Sequence, residues 1–147
     1  MSGEPLTNAA AEMVKRRFKN LDERDYSTAS ERYRGLADQI VFEDRRSGGV
    51  NFGTLDGPTL RKMLLLGDDV DGTRTRYVFE EVVAVRGDRS VLARIDSHYG
   101  DGSAIGTLTC FRVTSDFAEV ERIVWFDNDD VDAAVVLLAE WHAEIGD

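Results

Sequence analysis

Apolar residues open the chain at three- and four-residue steps. Leu6, Ala10, Met13, Val14, Phe18 and Leu21 fall on one stripe, joined by Arg17, and Thr7 or Asn8 precedes it as a cap. That spacing predicts an amphipathic helix. A second, shorter helix is predicted after Asp25, with Tyr26, Ala29, Tyr33 and Leu36 on one face and Gly35 as a stop. The pattern then changes period. Gln39–Asp44 reads as a strand running into a glycine-rich loop at Ser47–Gly53. Asp56 is placed to cap a third helix that tolerates Pro58 in its first turn, carries Leu60, Met63, Leu64 and Leu65, and stops at Gly67.

The second half predicts strands. Arg74–Arg86, Ser90–Tyr99, Ser103–Thr114 and Ala118–Asp127 are long β candidates, separated by Gly87-Asp88, Gly100-Asp101-Gly102 and Ser115-Asp116. Turns this short join antiparallel neighbours, because parallel ones need longer crossovers. A closing helix follows, with Val131, Ala134, Val135, Leu138, Trp141 and Ile145 as its apolar positions. The order predicts an α+β fold with the helices on one face of an antiparallel sheet.

Composition narrows the function. The 147 residues fit a single domain, 1–147, with 42% hydrophobic and 31% charged residues. A formal net charge of −10 disfavours nucleic acid and anionic membrane surfaces. Apolar runs such as Ala133–Ala139 are too short to span a bilayer, and the N-terminus lacks the layout of a signal peptide. With Cys110 alone no internal disulfide forms, so the expectation is a cytoplasmic protein. Small molecules or protein partners are left by elimination.

Three stretches carry a resemblance: Ile40-Val41-Phe42-Glu43-Asp44-Arg45-Arg46, Phe52-Gly53-Thr54-Leu55-Asp56-Gly57, and Ile123 through Ala134 with its run Trp125-Phe126-Asp127-Asn128-Asp129-Asp130. In that succession, over nearly the whole chain, the sequence resembles the nuclear transport factor 2-like superfamily and its SnoaL-like members. The resemblance implies a curved sheet wrapped around helices into a conical pocket, a cystatin-like cone. It implies a small apolar ligand and a homodimer through the outer sheet face, while the lack of a Gly-x-Gly-x-x-Gly or P-loop motif leads to the expectation of no cofactor. Members include isomerases, cyclases, epoxide hydrolases and domains without catalysis, so chemistry has to be argued from pocket residues.

Asp44 stands where the ketosteroid isomerase branch keeps a proton-shuttling carboxylate, although Arg45 replaces the usual proline. In an apolar cone its pKa is expected to rise towards the range of a general base. The alternative is an ion pair with Arg45 or Arg46, or a bond to a loop amide. That branch's tyrosine position falls on Arg17 or Phe18 and its acid position on Thr109, which disfavours a ketosteroid isomerase. Arg94 and Asp96 resemble the Arg-x-Asp pair of the limonene epoxide hydrolase branch, but the last-strand base position falls on Val124, and Phe42 and Asp44 replace its other water-holding groups. Residues two apart share a strand face, so Arg94, Asp96 and His98 point the same way. Either that is into the cone, or it is outward, with Val91, Ala93, Ile95 and Tyr99 facing the core.

Thr109, Phe111 and Arg122 complete the ligand-binding candidates with Phe42, His98 and Val124. Two histidines and one cysteine show no zinc-ligand spacing, so no metal site is expected. The acidic run at 127–132 lacks the EF-hand pattern and reads as helix capping. The functional expectation is a small-molecule-binding protein, either an acid–base enzyme of epoxide hydrolase, cyclase or isomerase type using Asp44, Arg94 and Asp96, or a non-catalytic sensing or dimerisation module.

Overall fold

The structure is a computed structural model that describes residues 6–23, 35–47, 51–62, 76–98 and 102–147. The expected helix after Asp25, the end of the third helix with Met63–Gly67, and Tyr99 lie outside them. Helix α1 spans Ala9–Glu23. Its start is fastened twice by one side chain. Asn8 Oδ1 accepts the Ala11 amide at 2.8 Å, while its Nδ2 donates to the carbonyls of Gly87 and Ser90 at 3.0 and 2.9 Å. A capping residue thus also ties the helix to a β-turn, satisfying amides that have no partner within the helix.

The strands are β1 (Leu36–Asp44), β2 (Thr54–Asp56), β3 (Arg76–Arg86), β4 (Ser90–His98), β5 (Ala104–Val113) and β6 (Val120–Asp127). They form one sheet in the order β2-β1-β6-β5-β4-β3. The β3–β4–β5–β6 meander is antiparallel, as the short turns require. The sheet as a whole is mixed, because β1 pairs parallel with β6. Register shifts at Phe79/Glu81, Val82/Ala84 and Arg112/Val113 mark bulges, which bend the sheet.

Strand β2 lies between the expected loop at Ser47–Gly53 and the helix capped by Asp56, where no strand was expected. It is three residues long and pairs with Val41–Glu43. A helix, α2, follows it, with residues 57–62 described, and Asp56 Oδ1 accepts the Thr59 amide at 2.9 Å as expected of a cap. Gly57 is needed there: a Cβ would sit 2.5 Å from the Asp38 carbonyl oxygen. Leu36, expected at the end of a helix, instead opens β1 directly after Gly35, whose φ of 87° suits glycine.

The last helix, α3, spans Val131–Ile145 and ends at Gly146 in the left-handed conformation, with its amide on the His142 carbonyl at 2.9 Å. Asp130 occupies the N-cap position, but its side chain makes no capping bond, so the acidic run is not there for that purpose.

The helices do not share one face, which corrects the expectation. On one side, Ala10, Ala11 and Val14 of α1 pack against Ile40, Val91, Ala93, Ile95, Phe111, Val113 and Val120. On the other, Ala134, Leu137, Leu138 and Trp141 of α3 pack against Leu92, Leu108, Cys110, Val124 and Phe126. Successive side chains alternate between faces, and here both parities are apolar in the middle of the sheet. A strand covered on both faces reads as a continuous apolar run. Helix α3 lies on the face opposite α1, over β3, β4 and β5. No helix among the described residues is long and apolar enough to cross a membrane.

Candidate functional site

Asp44 ends β1 on the face that carries Ile40 and Phe42, and its side chain is fully buried. Every bond it accepts comes from the next few residues. Oδ1 takes the Arg46 Nε at 2.9 Å and the Arg46 amide at 3.1 Å. Oδ2 takes the Arg46 Nη2 at 2.8 Å and the Phe52 amide at 3.1 Å. Burial pushes this carboxyl's pKa up, but the bidentate Arg46 side chain and the two backbone amides outweigh burial, and the pKa lies below its ordinary value. The expected rise is therefore reversed, because the buried carboxylate has its own counter-charge in Arg46.

An aromatic cluster holds that pair in place. The Arg46 guanidinium lies 4.7 Å from the centre of the Trp125 ring. Phe42 meets Trp125 edge-on at 4.8 Å, and Phe52 does so at 6.2 Å. Beside Asp44, Glu43 pairs with Arg45. Ser47 is fastened as well: its amide and hydroxyl both donate to Asp127 Oδ2, at 2.9 and 2.6 Å. Arg46 and Trp125 were not among the candidate site residues. The signal for them was the Asp-x-Arg spacing at a strand end and the parallel register that sets Asp44 beside Trp125.

Thr109 and Phe111 share the α1 side of the sheet. Thr109 is buried opposite Trp125, and its hydroxyl lies 3.3 Å from that of Thr107, which reaches the Ile95 carbonyl at 3.2 Å. Phe111 is buried in the α1 core, edge-on to Phe18 at 5.9 Å.

The remaining candidates lie on the other face. Arg94 sits opposite Leu108 and hydrogen-bonds Glu81 Oε1 at 2.8 Å and the Asn128 Oδ1 and carbonyl at 2.7 and 3.0 Å. Asp96 and His98 continue its parity. Val124 is buried beneath α3, and the Arg122 guanidinium stacks 5.4 Å from the Trp141 ring. The sheet therefore separates Asp44, Phe42, Thr109 and Phe111 from Arg94, Asp96, His98, Arg122 and Val124. Asp44 and the Arg94/Asp96 pair do not converge on one ligand atom.

Cys110 also faces α3, with its Sγ 3.5 Å from the Ala134 carbonyl oxygen. Burial pushes the thiol up to about 12, against a small opposing pull from Arg45. That leaves about one thiol in ten thousand ionised at pH 8, and the thiolate is the reactive form. Folded protein is expected to give no reaction with an aromatic disulfide reagent at pH 8, and one equivalent after denaturation in urea. Rapid labelling of the native state would show that α3 does not stay on the sheet.

Two cavities adjoin the α1 side. One, of about 500 Å³, runs between α1 and β3 and is lined by Lys15, Phe18, Tyr77, Phe79 and Val82 among others. The second, of about 540 Å³, lies between the start of β1 and α2, lined by Leu36, Ile40, Pro58 and Leu60 among others. Asp44 lines neither. The residues of the first cavity were missed as site residues, although alternation of Tyr77, Val78 and Phe79 already placed two rings on one strand face.

No protein-family model matches the sequence, and no curated protein matches it. Solved structures do. A computationally designed 17-OHP binder aligns with a TM-score of 0.62 at 12% identity, covering 84% of this chain and 97% of its own. The Δ5-3-ketosteroid isomerase of Mycobacterium sp. aligns at 0.58 with 12% identity, covering 84% and 96%. A nuclear transport factor 2-like protein from Mesorhizobium loti aligns at 0.56 with 18% identity, covering 84% and 95%. Likeness at such low identity speaks for the backbone and not for the chemistry. The chain has the nuclear transport factor 2-like fold.

Proposed function

We propose that the protein binds a small, largely apolar molecule in the cavity between α1 and β3, and that it does so without acid–base catalysis by Asp44. The observation that carries this reading is the cavity itself. Its volume suits a small ligand, and Phe18, Tyr77 and Phe79 give it aromatic walls, with Lys15 and Lys19 from α1 also in its lining. Flat rings bury much ligand area at little entropic cost. The designed binder that shares this fold takes 17-OHP, which makes that molecule a natural first competitor to try.

The same geometry argues against a proton shuttle. A general base needs a pKa near the working pH and a free lone pair aimed at the substrate. Asp44 has its pKa lowered, and both its oxygens are engaged. The Arg94/Asp96 pair belongs to the opposite face.

Titration with the neutral fluorescent probe Nile red, and with 17-OHP as competitor, tests the reading. Wild type is expected to show saturable emission that 17-OHP displaces. Val82→Trp, which fills the cavity, is expected to weaken probe binding at least about tenfold, and Asp44→Asn to leave it unchanged. Equal binding by wild type and Val82→Trp would reject the site.

A further inference from the structure

We propose that Glu80, Asp96 and His98 form a binding site for a divalent transition-metal ion, zinc being the ion whose preferences fit best, on the sheet face that also carries α3. One ligand atom from each side chain lies within 4.8 Å of the other two. Zinc holds nitrogen and oxygen ligands at about 2.0–2.2 Å, which puts neighbouring donors roughly 3.0–3.5 Å apart. Side-chain rotations that bring these atoms together by up to about 1–2 Å close the difference. Asp96 and His98 are half-buried and Glu80 is exposed, so an ion reaches them from solvent.

The fold brings the three together by two devices. Asp96 and His98 are two apart on β4 and share a face. The bulge in β3 supplies the third group. Between the pairs Phe79↔Ile95 and Glu81↔Arg94 an extra residue, Glu80, is inserted, so that two carboxylates are delivered next to each other. Glu81 takes up Arg94, and Arg94 turns its remaining donors to Asn128. Arg94, on the same strand face as Asp96 and His98, is thereby engaged by other groups. Among the described residues, the side chains of Glu80, Asp96 and His98 make no hydrogen bond or ion pair with another residue. Three polar groups gathered without partners on a folded sheet invite a partner from outside. Gly106, opposite Asp96, keeps space open: a Cβ there would lie 3.2 Å from Asp96 Oδ1.

The donor set selects the ion. Two carboxylates balance a divalent charge, and the overall charge of −10 favours cations generally. Magnesium and calcium prefer all-oxygen shells, whereas an imidazole nitrogen with two carboxylates suits zinc and its first-row neighbours. Three protein ligands leave a position for water, as in open zinc sites. The signal was hidden in sequence because Glu80 is far from Asp96 and His98 along the chain and only strand pairing unites them. Glu80 also lines the rim of the cavity between α1 and β3, but the grouping of the three ligand atoms does not depend on a ligand binding there.

The experiment uses full-length protein stripped with a chelator, then titrated calorimetrically with zinc chloride and, separately, magnesium chloride. Wild type is expected to bind one zinc per chain and no magnesium. Glu80→Gln, Asp96→Asn and His98→Ala are each expected to weaken zinc at least about tenfold, with circular dichroism and thermal midpoint unchanged, since none of the three side chains is in the core. Cobalt offers a second readout: a visible absorption band on the wild type that His98→Ala loses. Absence of one-to-one zinc binding, or unchanged affinity in the three variants, overturns the proposal and assigns any residual binding to other groups such as His142 with Asp147.

Discussion

Replacing Trp141 with alanine is expected to destabilise the protein by about 3–5 kcal/mol, read as a lowered midpoint in urea unfolding at constant slope. The indole is 2% exposed and closes the far end of the α3 core against Leu92, Leu108 and Val124. Truncation removes its buried area and leaves a void that fixed strands do not fill. It also strips the shared aromatic face from two guanidiniums. Arg112 lies 5.5 Å and Arg122 5.4 Å from the ring, and cation–π contacts away from water are worth a further fraction of this total. Arg112 keeps its bond to Glu121 Oε2 at 2.7 Å, so the variant does not leave it wholly unpaired. The control is Val136→Ala on the exposed side of the same helix, where a change within about 0.5 kcal/mol is expected. Since single domains are stable by about 5–15 kcal/mol, the Trp141 effect is large, and a loss below about 1 kcal/mol would contradict packing of α3 on this face.

That prediction rests on the feature the sequence hid best. Strand positions were legible almost to the residue: Ser90–Tyr99 was expected and Ser90–His98 is found, because glycine and aspartate turns bound each run locally. The last helix was equally legible from Val131, Ala134, Leu138 and Trp141. What period alone does not encode is which sheet face a helix chooses. Val91 and Ala93 on one parity and Leu92 on the other already hinted at two covered faces, but a turn of only three residues, 128–130, leads into α3 and fits either side. The same ambiguity left Arg94 and Asp96 undecided between cone and exterior. Strand β2 and the β1–β6 pair were invisible for another reason. Three residues carry no periodicity, and a parallel partner some eighty residues away leaves no local mark. At Asp44 both burial and a pairing with Arg46 or a loop amide were legible, and which of them prevails was not. An arginine two residues on, folded back by the strand end, supplies more stabilisation of the charged form than the apolar surroundings remove.

Removing that arginine is the second large effect. Arg46→Met is expected to cost about 3–5 kcal/mol at pH 7, because it leaves a buried carboxylate without its counter-charge. Asp44→Asn is expected to cost less, since Arg46 retains the Trp125 ring and 15% side-chain exposure. The double variant should be more stable than Arg46→Met alone, which identifies the lone charge as the source of the loss. The dependence on pH follows from the direction of the shift. In wild type the folded pKa of Asp44 is lowered, so the pair's contribution is fully present above the unfolded value near 3.8 and is lost as pH falls through the folded one. In Arg46→Met, burial is opposed only by the two backbone amides, and the folded pKa is expected to rise above the unfolded value. Protonation then favours the native state, and its penalty shrinks as pH falls from 7 towards 4. Urea midpoints at both pH values check this: the gap between wild type and Arg46→Met should be wide at pH 7 and markedly narrower at pH 4. A gap that is small at pH 7, or equal at both, would mean that Asp44 is solvated in solution and that the Arg46 clasp does not hold it.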